Sequence, residues 1–265
     1  MKKFMAILMT VLLGVAATLG LTACGSSKEK LYVYTNAGFA PYEYVNEYGE
    51  VVGIDIDIMK EIASVLGYDV VINDIDFDNI FIEVPKSKMA VGAAGITKKS
   101  DRDEIMLASD VYASSQQYVI APVGSFEAGE TVTVEQVYNK FGASKIGVQR
   151  GTTGSDLIEE YLEDVSITFE STVITYPNAF VASDDIGSTV GAVIIDKLPA
   201  ESISNAKSGL ACWAIEAEVE SYVLYFNKEA TELVAKVNTI LSVMKDNGVL
   251  AYYNMKHTGG GILGD

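Results

Sequence analysis

Apolar residues along the chain change their spacing in a regular order, which predicts alternating strands and helices. Short runs rich in valine, isoleucine and tyrosine predict strands at 31–35, 68–72, 89–95, 145–149 and 191–195. Elsewhere apolar residues recur every three or four positions, as at Ile58, Ile62 and Leu66, which predicts amphipathic helices over 55–66 and 230–247. This alternation indicates an α/β fold with largely parallel sheets.

The first 23 residues have the pattern of an export signal. Two lysines precede an apolar run over 4–21, and Cys24 follows Leu-Thr-Ala. The run alone is long enough to anchor the chain in a membrane, but the small residues and the cysteine after it favour cleavage. The segment resembles a bacterial lipoprotein signal, in which Cys24 receives acyl chains such as palmitate and becomes the first residue. Residues 24–30 would then be a flexible tether.

Composition and charge restrict the function. The chain has 36 Asp and Glu against 19 Lys and Arg, a net charge of −17 that repels phosphate backbones, so no nucleic-acid partner is expected. The single histidine, His257, leaves too few groups for a Ser-His-Asp hydrolase or a multi-histidine metal site, and no cofactor is expected. Cys212 is predicted to be a buried small hydrophobe without a disulfide partner.

The run Gly-Ile-Thr-Lys-Lys-Ser-Asp-Arg at 95–102 is the first candidate for ligand chemistry. It follows a predicted strand and leads into a predicted helix capped by Ser100, with Asp103 three residues on. The Arg102 guanidinium is a rigid two-pronged donor that suits the carboxylate of a small organic acid. The alternative is a solvent-exposed pair with a neighbouring acid such as Asp101 or Asp103.

The run Gln-Arg-Gly-Thr-Thr-Gly-Ser-Asp at 149–156 is the second candidate. Its glycines let the backbone approach a ligand closely, and free N–H groups at a helix start favour an anion. It is not a nucleotide-binding P-loop, because Asp156 stands near the position where such a loop ends in lysine and a hydroxyl residue. An ordinary loop is the alternative.

Three further residues follow predicted strands. Asp196 is either a helix N-cap or a functional acid, and its position alone leaves both interpretations open. Phe39 and Phe77 are expected to be core aromatics, and by themselves they indicate nothing more.

Residues 53–66, Gly-Ile-Asp-Ile-Asp-Ile-Met-Lys-Glu-Ile-Ala-Ser-Val-Leu, resemble without a gap the signature of family 3 of the extracellular solute-binding proteins, the polar amino-acid type of ABC importers. Further motifs follow in the family's order at 34–44, 76–78, 94–97 with Arg102, 149–154, 192–196, 237–238 and 247–248. The similarity covers about 31–256.

The resemblance implies a two-lobed periplasmic-binding-protein-like (type II) fold with the ligand in a cleft between the lobes. Lobe one would comprise 31–118 and 222–265, and lobe two 119–221. Two crossing segments, expected near 118–122 and 218–222, would form the hinge.

The resemblance also implies the function. A monomer on the outer face of the membrane would capture a free L-amino acid and deliver it to an ABC permease and its ATPase subunits, without enzymatic activity. The alternatives are a dehydratase on the same fold, with Glu43, Asp55 or Asp196 as acids, and a sensing module for a separate receptor.

The residues implied to bind the ligand are Asn36, Phe39, Phe77, Gly95, Thr97, Arg102, Gln149, Thr152, Thr153 and Asp196. Arg102 and the three threonines would hold the α-carboxylate, Asp196 and the Gly95 carbonyl the α-ammonium, and the two phenylalanines the side chain. A zwitterion removed from water needs both charges matched.

Side-chain specificity is predicted from two amides. Many relatives have aspartate where this chain has Asn36, so strict arginine or lysine recognition is not favoured. Asn36 and Gln149 can supply amide hydrogen bonds. A polar uncharged or small L-amino acid is therefore expected.

Overall fold

The computed structural model describes residues 28–259, so the predicted signal, Cys24 and most of the tether lie outside the described residues. Strands and helices alternate along the described chain, as expected. The strands are β1 (Lys30–Thr35), β2 (Tyr44–Val45), β3 (Val51–Val52), β4 (Asp69–Asp74), β5 (Ala90–Gly92), β6 (Met106–Ala108), β7 (Ala113–Ser115), β8 (Gln117–Pro122), β9 (Thr131–Val132), β10 (Ile146–Gln149), β11 (Val173–Tyr176), β12 (Ala192–Asp196), β13 (Leu210–Ile215), β14 (Glu220–Tyr222) and β15 (Tyr225–Asn227). The helices are α1 (Ile54–Leu66), α2 (Phe77–Glu83), α3 (Ser100–Ile105), α4 (Val134–Phe141), α5 (Thr153–Asp164), α6 (Phe169–Thr172), α7 (Ala179–Asp184), α8 (Lys197–Ala206), α9 (Thr231–Asp246) and α10 (Val249–His257).

The first sheet has five strands in the order β4-β1-β5-β15-β6. Strands β4, β1 and β5 are parallel, and β15 is antiparallel to both of its neighbours. Helix α1 contributes its apolar face, including Ile58, Met59 and Ile62, to the same core as Leu31 and Val33 of β1. Because β15 comes late in the chain, this sheet is built from two distant segments.

The second sheet has six strands in the order β11-β10-β12-β8-β13-β9. Strand β10 is parallel to β11 and β12, which accounts for the predicted strands at 145–149 and 191–195. Strand β8 is antiparallel to β12 and β13. The core of this part contains Val148, Ile194 and Trp213, all buried.

Two short paired strands connect the sheets. Strand β7 lies in the chain between β6 of the first sheet and β8 of the second, and it pairs antiparallel with β14, which leads back to β15. The expectation of a crossing at 118–122 was wrong, because those residues lie inside β8, in the middle of the second sheet. The expected segment at 218–222 includes β14.

Local expectations differ from the structure at three points. Helix α3 begins at Ser100 itself, so Lys99 occupies the N-cap and no side chain caps the helix. The predicted tether extends too far, because Lys30 already belongs to β1. Cys212 is unpaired within residues 28–259 and only half-buried, on β13.

A polar cluster ties the last helix to α1 and to the β2 strand. The Asp57 carboxylate accepts hydrogen bonds from Lys256 Nζ (2.5 Å) and His257 Nε2 (2.8 Å), and His257 Nδ1 lies 3.2 Å from the Tyr44 hydroxyl. Partial burial alone would raise the Asp57 pKa, but the bonds from His257 and Lys256 outweigh it and lower the pKa. The cluster therefore stabilises the fold at pH values at which Asp57 is ionised.

Asp57→Asn is expected to lower the free energy of unfolding by about 1 kcal/mol at pH 7, because hydrogen bonds to a charged acceptor are lost. A depressed carboxyl pKa stabilises the fold above the pKa of the unfolded state, and this stabilisation is lost as the pH falls through the folded value. In urea unfolding, the difference between wild type and variant should therefore narrow below about pH 4. Glu232→Gln, which removes an exposed ion pair with Lys236 (2.7 Å), is the control and should change little. A difference that stays constant with pH would contradict this role of Asp57.

Candidate functional site

One cavity brings together all ten residues implied by the resemblance. Six of the ten lie in the part of the chain that carries the first sheet, and four in the part that carries the second. Glu43 and Ala94 also line the cavity.

The cavity lies where parallel strands end. Asn36 follows β1 and Gly95 lies shortly after β5 in the first sheet, whereas Gln149 ends β10 and Asp196 ends β12 in the second. Ligands of α/β proteins bind beyond the carboxyl ends of parallel strands, because the loops that follow converge there. Two such edges face each other here.

Arg102 is buried without a carboxylate partner. Its Nη1 donates to the Thr97 carbonyl (2.7 Å), and its Nη2 donates to the Gly151 carbonyl, which belongs to the other half of the molecule (2.9 Å). The guanidinium lies 4.7 Å from the centroid of the Phe81 ring. Within residues 28–259 no Asp or Glu lies within 4.0 Å of its charged group, so the alternative of a surface ion pair is not observed. Burial lowers the Arg102 pKa, but a guanidinium remains protonated, so the site holds a buried positive charge.

The hydroxyl protons of the three cavity threonines are all used within the protein. Thr97 Oγ1 and Thr153 Oγ1 (2.9 Å) donate to Glu220, and Thr152 Oγ1 donates to the Gln149 carbonyl (2.9 Å). The N–H groups of Thr97 and Thr153 find no acceptor in the described part of the chain. Thr153 opens helix α5, where free N–H groups favour an anion. These backbone groups, rather than the hydroxyls, are the donors available beside Arg102.

Asp196 stands at the N-cap of α8, but its side chain makes no capping hydrogen bond. Its carboxylate instead accepts from Gln117 Nε2 (3.3 Å), which also donates to Glu220 (2.8 Å). Burial and, second, the charge of Glu220 raise the Asp196 pKa to about 7. The N-cap position alone therefore does not account for this carboxylate, which lines the cavity.

Two phenylalanines form walls of the cavity and also belong to the hydrophobic core. Phe39 stacks on Tyr42 with ring centroids 5.8 Å apart, and Phe77 meets Phe81 edge to face at 5.3 Å. Gly95 lies directly against Phe39: a Cβ there would be 2.7 Å from the ring, and the backbone has a φ of +54°. Only glycine fits this turn without strain.

An amide pair closes another part of the cavity. Gln149 Nε2 donates to Asn36 Oδ1 (2.9 Å), and Asn36 Nδ2 donates to the Ile75 carbonyl (2.7 Å). The first bond joins the two halves of the molecule. The two residues predicted to contact the ligand's side chain are therefore in contact with each other.

Three polar residues of the site region are absent from the predicted ligand-binding set. Glu43 lines the cavity, is fully buried, and neither of its carboxylate oxygens has a hydrogen-bond partner within residues 28–259. Burial and then the charge of Asp55 raise its pKa well above the usual range. Glu220 and Gln117 bond to cavity residues. The sequence indicated Glu43 only as an acid of the dehydratase alternative, and its position between two tyrosines was the available signal for a place in the site. No local pattern indicated Glu220 or Gln117.

The sequence model of the bacterial extracellular solute-binding proteins, family 3, matches residues 31–260, and the chain belongs to this family. The arginine-binding extracellular protein ArtP of Bacillus subtilis (strain 168) is 27% identical over 261 residues, covering 94% of this chain and 95% of ArtP.

Solved structures show the same fold. An ancestral arginine-binding protein bound to arginine matches with a TM-score of 0.76 and 27% identity, over 88% of this chain and 99% of that one. An ancestral arginine-binding protein bound to glutamine matches with a TM-score of 0.75 and 26% identity, over the same shares of the two chains. The predicted family, two-lobed fold and class of solute-binding protein are confirmed.

The family consists of extracellular proteins, which agrees with the predicted export. Between residues 28 and 259, the structure contains no helix with the length and apolar character to span a bilayer.

Proposed function

We propose that the protein captures a free L-amino acid outside the cell and presents it to an ABC permease and its ATPase subunits. The supporting observation is the pair of opposite charges in one cavity: the guanidinium of Arg102, which no protein carboxylate neutralises, and the carboxylate of Asp196. A buried charge without a partner costs several kcal/mol. A ligand with a carboxylate and an ammonium group would supply the missing partners, the carboxylate for Arg102 and the ammonium for Asp196. Arg102 and the free N–H groups of Thr97 and Thr153 would bind the carboxylate.

The ligand would hold the two lobes together. Arg102 lies in the lobe that carries the first sheet, and Thr153 and Asp196 lie in the lobe that carries the second sheet, from β8 to β13. A ligand that contacts both lobes binds the closed state more tightly than the open one and shifts the population toward it. Closure about β7 and β14 would be the signal that the permease reads, with the protein acting as a monomer and not as an enzyme.

The side chain of the ligand is proposed to be polar and able to donate hydrogen bonds. The amides of Asn36 and Gln149 suit an uncharged polar or small amino acid. A cationic side chain is the second candidate, because the two unpartnered oxygens of Glu43 lie at the cavity and could accept from a guanidinium or ammonium group. The arginine-binding relatives favour this second candidate.

A thermal-shift screen of the mature chain against the twenty L-amino acids tests the function. We expect one or a few of them to raise the melting temperature, since a ligand of the folded state stabilises it by about 2.7 kcal/mol at a hundredfold excess over Kd. Glutamine and asparagine among the hits would favour the uncharged side chain, and arginine or lysine the cationic one. The matching D-amino acids are the control. No shift with any amino acid, or product formation on prolonged incubation, would contradict a binding protein.

Arg102→Ala is expected to weaken amino-acid binding by about 2–5 kcal/mol, the range for removing one partner of a buried charged pair. Isothermal titration calorimetry of the strongest hit measures the loss. Lys236→Ala, which removes an exposed cation on α9, is the control and should bind as wild type does. Near-native affinity of Arg102→Ala would remove Arg102 from the site.

We further propose that lipid on Cys24 anchors the protein to the outer face of the cytoplasmic membrane. The Leu-Thr-Ala-Cys sequence at 21–24 supports this, because acyl chains hold a protein at a membrane without spanning it. Cys24→Ser should release the protein, measured by immunoblotting of membrane and soluble fractions. Continued retention of the variant in the membrane fraction would count against lipidation.

A further inference from the structure

Glu220 is a second acid beside Asp196 that neither the sequence motifs nor the cavity lining identify. It lies on β14, the strand by which the chain returns from the second sheet to the first. Its carboxylate accepts from three side chains of different parts of the fold: Thr97 in lobe one, Thr153 in lobe two (2.9 Å) and Gln117 at the start of β8 (2.8 Å). One carboxylate on the hinge strand β14 thus contacts both lobes.

The hydrogen bonds to Glu220 determine what the hydroxyl groups of Thr97 and Thr153 can offer a ligand. Each threonine has one hydroxyl proton, and both Thr97 and Thr153 donate theirs to Glu220. Both threonines line the cavity, so their hydroxyls have only lone pairs left for its occupant, and Thr153 Oγ1 already accepts one hydrogen bond from Gln117 Nε2 (3.2 Å). Lone pairs accept from an ammonium group and repel a carboxylate.

Resting on the proposed amino-acid function, we propose that Glu220 is a positioning residue of the site. Its carboxylate joins the two lobes through Thr97 and Thr153 and directs their hydroxyl lone pairs toward the ligand's ammonium group, next to Asp196. The contact needs both threonines within reach of one carboxylate, so it forms only when the lobes are closed.

The same arrangement makes ligand capture depend on pH. Gln117 Nε2 donates to both carboxylates, at 2.8 Å to Glu220 and 3.3 Å to Asp196, so the two negative charges share one neutral donor. Burial and then this neighbouring charge bring the Asp196 pKa to about 7. Below that pH Asp196 takes up a proton and loses its attraction for an ammonium group, so affinity should rise with pH through neutrality.

The other titratable groups near Asp196 do not replace Glu220. Tyr42 and Glu43, from the segment before α1, and Tyr222 on β14 interact electrostatically with Asp196, and none of them is a cation. Lys197 follows Asp196 directly, but its ammonium lies 4.0 Å from Glu201 on the half-exposed side of α8. Glu220 is therefore the residue to change.

The test compares Glu220→Gln with wild type in the mature protein. Carboxyl-carbon NMR should show the Asp196 pKa falling in the variant, without any added ligand. Calorimetry with L-glutamine and with L-arginine should show wild-type affinity rising about tenfold from pH 6 to pH 8, as the ionised fraction of a group with a pKa near 7 does. In Glu220→Gln the rise should be less than about threefold, with weaker binding at pH 8.

Two further variants separate charge from contact. Thr153→Val removes one lobe contact but keeps the Glu220 charge, so affinity should fall with an unchanged pH profile. This variant tests the contact if Glu220→Gln fails to fold.

Glu218→Gln is the matched control, because Glu218 is exposed and makes no hydrogen bond or ion pair with residues 28–259. An unchanged Asp196 pKa and unchanged affinity in Glu220→Gln would overturn the inference. Failure of wild type to bind any amino acid would instead refute the proposed function, whatever the NMR shows.

Discussion

A buried guanidinium without a carboxylate is the constraint on which the site depends. Arg102 is held by two backbone carbonyls, one from each lobe, and covered by the ring of Phe81, so it is fixed in place but not neutralised. Carbonyl dipoles orient a cation but do not supply the opposite charge that a low-dielectric interior requires. An anion that binds beside Arg102 therefore supplies the opposite charge that no Asp or Glu among residues 28–259 places within 4.0 Å.

The family signature on α1 has a structural role at the same site. Asp55, its first acid, is fully buried and accepts hydrogen bonds from the Gly95 N–H (2.8 Å) and the Tyr112 hydroxyl (2.7 Å). Burial raises its pKa to about 6. Gly95 turns into the cavity and Tyr112 immediately precedes β7, so one carboxylate fixes the cavity wall relative to the hinge. The signature thus specifies the apolar face of α1 and also a buried carboxylate that holds the cavity wall.

Features that depend on local sequence pattern, or on motifs in the order of the family, could be predicted from the sequence. Strand and helix spacing, and the residues that line the cavity, followed from periodicity and from motifs. The first crossing segment was misplaced because 118–122 and a central strand have the same apolar pattern, and only pairing with β12 and β13 distinguishes them. Glu220 was missed because Thr97 lies 123 positions away, and a contact at that separation leaves no local signal. Ser100 shows that a capping pattern does not fix which residue begins the helix.

The late position of β15 has a consequence for how the chain acquires its structure. All six strands of the second sheet come from one continuous stretch, 117–215, whereas the first sheet has β15 inserted between β5 and β6 from more than a hundred residues further on. Contacts of such large sequence separation form late, because loop closure must precede them. During synthesis or passage through a translocon, the lobe that carries Arg102 thus waits for the interior strand β15, while the other lobe can assemble first.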